Sequence, residues 1–147
     1  MSFDLAVWHS ENALTDEQAH QIYTKLCEEW PYLEGANPNV EALYCELIEK
    51  WPEIDTIPEK RIGDFDFCPW SCALNHSGMA IVASCVWPKA PDVAKHLLTL
   101  AAKHNLVLFD PQTATVVLPK SLRQVKQSWF RRRVPQEELM AARSPRI

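Results

Sequence analysis

Three side chains able to chelate a metal ion fall within nine residues: Cys68, Cys72 and His76, spaced Cys-x3-Cys-x3-His. Zinc takes cysteine and histidine ligands at intervals of about two to four residues, and a structural site needs four of them. A fourth ligand here would have to come from Cys85, Cys45 or a distant histidine. If Cys72 opens a strand, it shares a face with His76 two strand steps on, which helps chelation. A metal-binding or enzymatic centre on these three residues is therefore one alternative. The same stretch, Cys68-Pro69-Trp70-Ser71-Cys72, also brings two thiols close together. A redox pair has two intervening residues and opens a helix that lowers the attacking thiol's pKa. This pair has three and runs toward a strand, so disulfide exchange is not expected.

Other chemistries have less to build on. No G-x-S-x-G turn or comparable nucleophile signature occurs, and His9, His20, His96 and His104 are scattered. The three glycines, Gly35, Gly63 and Gly78, cannot form a phosphate-cradling loop of either nucleotide-binding type. The chain is thus expected to be a binding protein without catalytic residues, cofactor or metal. The rear carries Lys120, Arg123, Lys126 and Arg131-Arg132-Arg133 with Trp129 and Phe130 interleaved, a pattern that can grip phosphates and stack a base. A nucleic-acid-binding regulator is the other alternative, but a pI of about 5.7 is low for that class. The same residues suit a solvated helix, or an arm lying on the acidic half or on a second copy in a homodimer.

The elements that would position these groups follow from periodicity. Phe3 to Trp8 is rich in strand formers. Thr15 and Gln18 form a capping box, after which Ala19, Ile22, Tyr23, Leu26, Cys27 and Trp30 recur at helical spacing until Pro31. Asn37-Pro38 opens a second helix whose inner stripe is Val40, Leu43, Tyr44, Leu47, Ile48 and Trp51. Residues 53–69 show no period and read as a long connector. Cys72–His76 and Met79–Trp87 flank Ser77-Gly78 as a hairpin. Val93, Leu97, Leu100, Ala101 and His104 mark a third helix, with Asn105 as its left-handed cap. Leu106–Phe109 and Thr115–Leu118 are two further strands around the Asp110-Pro111-Gln112 turn.

Strand, two helices, hairpin, helix, strand is a split β-α-β plan with one helix added. The expected fold is a ferredoxin-like α/β sandwich, with a mainly antiparallel sheet and helices on one face. Residues 1–118 would form one domain. Residues 119–147 would form a basic helical extension around Leu122, Val125 and Trp129, with a disordered end.

Composition agrees with a single globular domain: 147 residues, 47% hydrophobic and 23% charged, without repeats. No signal-like leader or membrane-length apolar run occurs, and the five cysteines are an odd number. A cytoplasmic protein with free thiols and no membrane partner is expected. The net charge of -4 conceals a division. Residues 1–75 hold 15 Asp/Glu against 4 Lys/Arg, and residues 76–147 hold 4 against 11.

Two segments carry a family resemblance: Phe3-Asp4-Leu5-Ala6-Val7-Trp8, and His104-Asn105-Leu106-Val107-Leu108-Phe109-Asp110-Pro111-Gln112. With them, residues 3–118 resemble a family of small bacterial proteins that begin with a D-L-A-V-W strand and close with an H-G-L-V-x-[FY]-D-P-Q segment. The chain departs from that pattern at Asn105, where glycine is usual, and the basic tail lies outside it. Members of the family occur beside polymorphic toxins. The resemblance therefore implies an immunity protein, an antitoxin that neutralises a contact-dependent or type VI secretion effector by stoichiometric binding in bacterial competition. Secreted toxins that are nucleases have basic clefts, and an acidic surface could fill one in place of phosphate. The candidate acids are Glu28, Glu29, Glu34, Glu53, Asp55, Glu59, Asp64 and Asp66, with Trp30, Trp51 and Trp70 as aromatic anchors.

Overall fold

The structure, a computed structural model, describes residues 2–123. Residues 120–123 are helical, so the expected C-terminal helix begins where expected, whereas its continuation, the basic cluster from Lys126 to Arg133 and the expected disordered end lie outside the described residues.

The elements follow in the order β1 (Phe3–Trp8), α1 (Asp16–Glu28), α2 (Pro38–Lys50), β2 (Asn75–His76), β3 (Ala80–Cys85), α3 (Ala90–Lys103), β4 (Val107–Asp110) and β5 (Thr115–Val117). Local signals set most of the boundaries. The Thr15 hydroxyl accepts from the Gln18 N–H at 3.1 Å while the Gln18 side chain accepts from the Thr15 N–H at 2.9 Å. The Asn37 side chain caps α2 through the Asn39 N–H at 2.9 Å. Asn105, at φ 58°, ends α3 in the left-handed region, as expected from its amide side chain.

The five strands form one antiparallel sheet in the order β2-β3-β1-β4-β5. Removing β5 leaves the four-strand order of the split β-α-β plan, so the expected α/β architecture with an antiparallel sheet is present. Helix placement differs in one respect. Leu5, Val7, Ile81, Ala83, Cys85 and Leu108 face α2 and α3 in the larger core. Ala6, Trp8, Ala80, Val107 and Phe109 face the opposite way, onto Ala19 and Leu26 of α1. Helices thus cover both faces, with α1 and the helical residues 120–123 on the second. The reason is visible in β1 and β4: Leu-Ala-Val-Trp and Leu-Val-Leu-Phe are apolar at every position, and strands of that kind need cover on both sides. Cys27, counted in the inner stripe of α1, is instead exposed. Leu122 is buried against the α1 side of the sheet, so the chain is still packed on the domain at the end of the described region.

The hairpin tip is held by backbone contact. The Gly78 carbonyl accepts from the Asn37 N–H at 2.9 Å, and a Cβ on Gly78 would stand 2.5 Å from the Gly35 carbonyl oxygen. Only glycine lets the hairpin approach the entry to α2 this closely.

The late Asp-Pro-Gln segment also acquires a physical role. Continuing the β1–β4 register from Ala6↔Phe109 sets Pro111 opposite Asp4, and proline has no N–H to donate. The Gln112 side chain takes over. Its Oε1 accepts from the Asp4 N–H at 2.9 Å, and its Nε2 donates to the Asp4 carbonyl at 2.8 Å. Asp110 Oδ1 orients the amide by accepting from Nε2 at 2.6 Å. The two segments that carry the family resemblance therefore form one hydrogen-bonded unit. Replacing Gln112 with alanine is expected to lower stability by about 1–2 kcal/mol, measured by urea denaturation. An unchanged midpoint would show that water replaces the amide without loss.

Candidate partner-binding face

The eight candidate acids do not share one surface. Glu28, Glu29 and Glu34 lie at the end of α1 and in the chain entering α2, whereas Glu53, Asp55, Glu59, Asp64 and Asp66 follow the far end of α2. At 13 residues, α2 separates the two groups by about 20 Å. The first group is partly neutralised, with Glu29 paired to Lys25 at 3.5 Å.

The second group belongs to the connector, which contains two 3-10 turns, Ile54–Thr56 and Glu59–Arg61. The Arg61 guanidinium binds Asp64 through Nη2 at 2.9 Å and Nε at 3.2 Å, and lies 3.7 Å from the centre of the Phe67 ring. Asp66 pairs with Lys89. Phe67 faces the larger core, and its neighbours turn outward: Ile62 is 56% exposed and Phe65 40%. Trp87, 46% exposed, packs edge-on against Phe3 at 5.2 Å. Ile62 and Phe65 flank a groove of about 300 Å³, also lined by Cys68, Trp70 and Val86, the residue before Trp87. Asp55, Glu59, Asp64 and Asp66 are all exposed along the same connector.

Comparison of the chain with known protein families, curated proteins and solved structures finds no match.

Three of the candidate residues serve the interior. Trp70 is 1% exposed, with its indole N–H donating to the Trp51 carbonyl at 3.3 Å. Trp51 is also buried and meets Trp70 edge-on at 5.9 Å. Neither can insert into a partner's pocket, because both rings close the core beneath the connector and Trp51 shows only an edge, in the cavity beside Lys50; their helical and loop positions look alike in sequence whether they face in or out. Glu53 is an internal strut. Its Oε2 accepts from the Tyr44 hydroxyl at 2.9 Å and its Oε1 from the Leu74 N–H at 2.9 Å. Trp30 is half-buried in the α1-side core. The exposed apolar residues Ile62, Phe65 and Trp87 were not singled out by sequence, since a connector without periodicity gives no facing rule. The available signal was the presence of large apolar side chains in a segment otherwise rich in acids.

Burial, followed by the hydrogen bond to Glu53 and that residue's charge, pushes the Tyr44 phenol up to about 12. A raised folded-state pKa gives stability that is complete below the unfolded value near 10 and is lost as pH rises through about 12. Stability is expected to fall between pH 10 and 12, and Tyr44→Phe should flatten part of that fall. The variant should also cost about 1 kcal/mol at neutral pH. Denaturation series across that range test this, and identical slopes for both proteins would refute it.

The cysteine-histidine cluster is dispersed. Cys68 is buried and donates to the Pro52 carbonyl at 3.3 Å, and burial pushes its thiol up, away from the thiolate that metal or redox chemistry uses. Cys72 is exposed. His76 stacks on Tyr44 at 3.7 Å, with its Nε2 2.9 Å from Glu41 Oε2. Cys72 does not open a strand, because β2 begins only at Asn75. Among the described residues, no three His, Cys, Asp or Glu side chains converge to hold a metal ion. No helix among them is long and apolar enough to cross a membrane.

Proposed function

We propose that this protein is a cytoplasmic immunity protein that neutralises a cognate bacterial toxin by stoichiometric binding, without chemistry of its own. The connector between α2 and β2 is its contact surface. The observation that carries this reading is the exposure of Ile62 and Phe65 in a segment that also exposes Asp55, Glu59, Asp64 and Asp66, beside the exposed Trp87. Apolar side chains that fill a partner's pockets slow dissociation, and surrounding charge speeds encounter with a partner of opposite sign. A basic nuclease cleft meets both requirements. The resemblance of residues 3–118 to proteins that neighbour polymorphic toxins supports the same role.

Co-expression with the product of the adjacent gene, followed by affinity capture and titration in rising salt, tests the proposal. The expected result is a one-to-one complex whose association slows as salt screens the charges. Absence of a complex would overturn the role. A complex indifferent to salt would overturn the electrostatic part of it.

A further inference from the structure

A second concavity lies beside the connector and has different chemistry. A cavity of about 400 Å³ is lined by Lys50 and Trp51 from the end of α2, Phe65 and Asp66 from the connector, and Lys89, Asp92, Lys95, His96 and Thr99 along α3. Asp92, the adjacent pair Lys95 and His96, and Thr99 recur at intervals of three or four residues, so α3 presents them on one side.

Its charges do not cancel. Lys89 is occupied by Asp66, leaving the Lys50 and Lys95 ammonium groups against the single carboxylate of Asp92. Neither lysine forms an ion pair among the described residues. Lys50 Nζ lies 5.1 Å from the centre of the Trp51 ring, and His96 meets the same indole edge-on at 5.2 Å. His96 Nε2 is buried and has no hydrogen-bond partner among the described residues. Burial, and then the Lys50 charge, push the imidazole below its ordinary value. The volume falls in the range of small-molecule sites, and Trp51 and Phe65 supply aromatic walls.

We infer that this cavity binds a small organic phosphate, with Lys50 and Lys95 holding the phosphate oxygens, Trp51 and Phe65 flanking the organic part, and His96 in the wall as a neighbour that senses the occupant. The cavity shares Phe65 with the proposed toxin-contact surface, but its phosphate chemistry does not rest on toxin neutralisation and would stand if that role failed.

The test is a titration of the full chain with inorganic phosphate and with phenyl phosphate, followed through the His96 imidazole proton resonance assigned with the His96→Gln variant. Both probes are expected to give saturable shifts, with phenyl phosphate the tighter because its ring also buries apolar surface. The Lys50→Met/Lys95→Met double variant should weaken both by at least about tenfold, while Lys25→Met on α1 leaves them unchanged. Retained denaturation midpoints confirm that the lysine variants are folded. Shifts that rise linearly without saturating, or that persist equally in the double variant, would overturn the site.

Discussion

Replacing Trp70 with alanine is expected to lower the stability of the fold by about 3–5 kcal/mol, close to the upper limit for one side chain. The indole is 1% exposed, meets Trp51 edge-on and gives its N–H to the Trp51 carbonyl. Removing it opens a cavity beside Trp51 in the larger core, and it frees the Trp51 carbonyl in the interior. Chemical denaturation measures the loss. Trp70→Phe should recover more than half of it, because most of the ring volume returns and only the hydrogen bond is absent. A cost for alanine below about 1 kcal/mol would show that the connector collapses into the space, and that Trp70 does not support it.

The second large effect concerns binding and should leave stability almost untouched. Ile62→Ser with Phe65→Ala removes two side chains that are 56% and 40% exposed and contribute little to the core. Surface changes of this kind usually fall within about 0.5 kcal/mol of neutral. If the connector contacts the toxin, the same pair should weaken the complex by about hundredfold or more, mainly through faster dissociation. Calorimetry or surface-immobilised kinetics with the captured partner would show it. A double variant that binds as tightly as the parent would move the contact surface elsewhere, with the acids around Glu28, Glu29 and Glu34 next to test. The two variants form a contrast: one tryptophan expected to anchor a partner anchors the fold, while two residues in an irregular segment are free to meet that partner.

Sequence made the regular parts of this protein legible because they follow period rules. The capping box at Thr15 and Gln18, the Asn37-Pro38 start and the Asn105 stop each stand where local chemistry requires. The second covered face of the sheet was also written in the unbroken apolar runs of β1 and β4, although alternation elsewhere favoured one-sided cover. The connector was less readable for a physical reason. Whether Trp70 points inward and Phe65 outward depends on long-range partners, chiefly the Trp51 carbonyl and the Lys89–Asp66 pair. Glu53 illustrates the same limit. Its charge looked like surface, yet its two oxygens are engaged by Tyr44 and by Leu74, one of them 21 residues away in the chain.

That use of Glu53 has a counterpart across the sheet, where Asp16 Oδ1 accepts from the Val116 N–H of β5 at 2.9 Å. β2 and β5 are the two edges of the sheet; a carboxylate of the same chain occupies a backbone donor within β5, and another occupies the donor of Leu74, the residue just before β2. An incoming strand would meet negative charge where it needs a free N–H. Each carboxylate thus discourages a strand from adding at that point of the edge. If the protein does bind a toxin, contact through side chains is favoured over strand addition, and side chains can be exchanged one at a time without altering the scaffold.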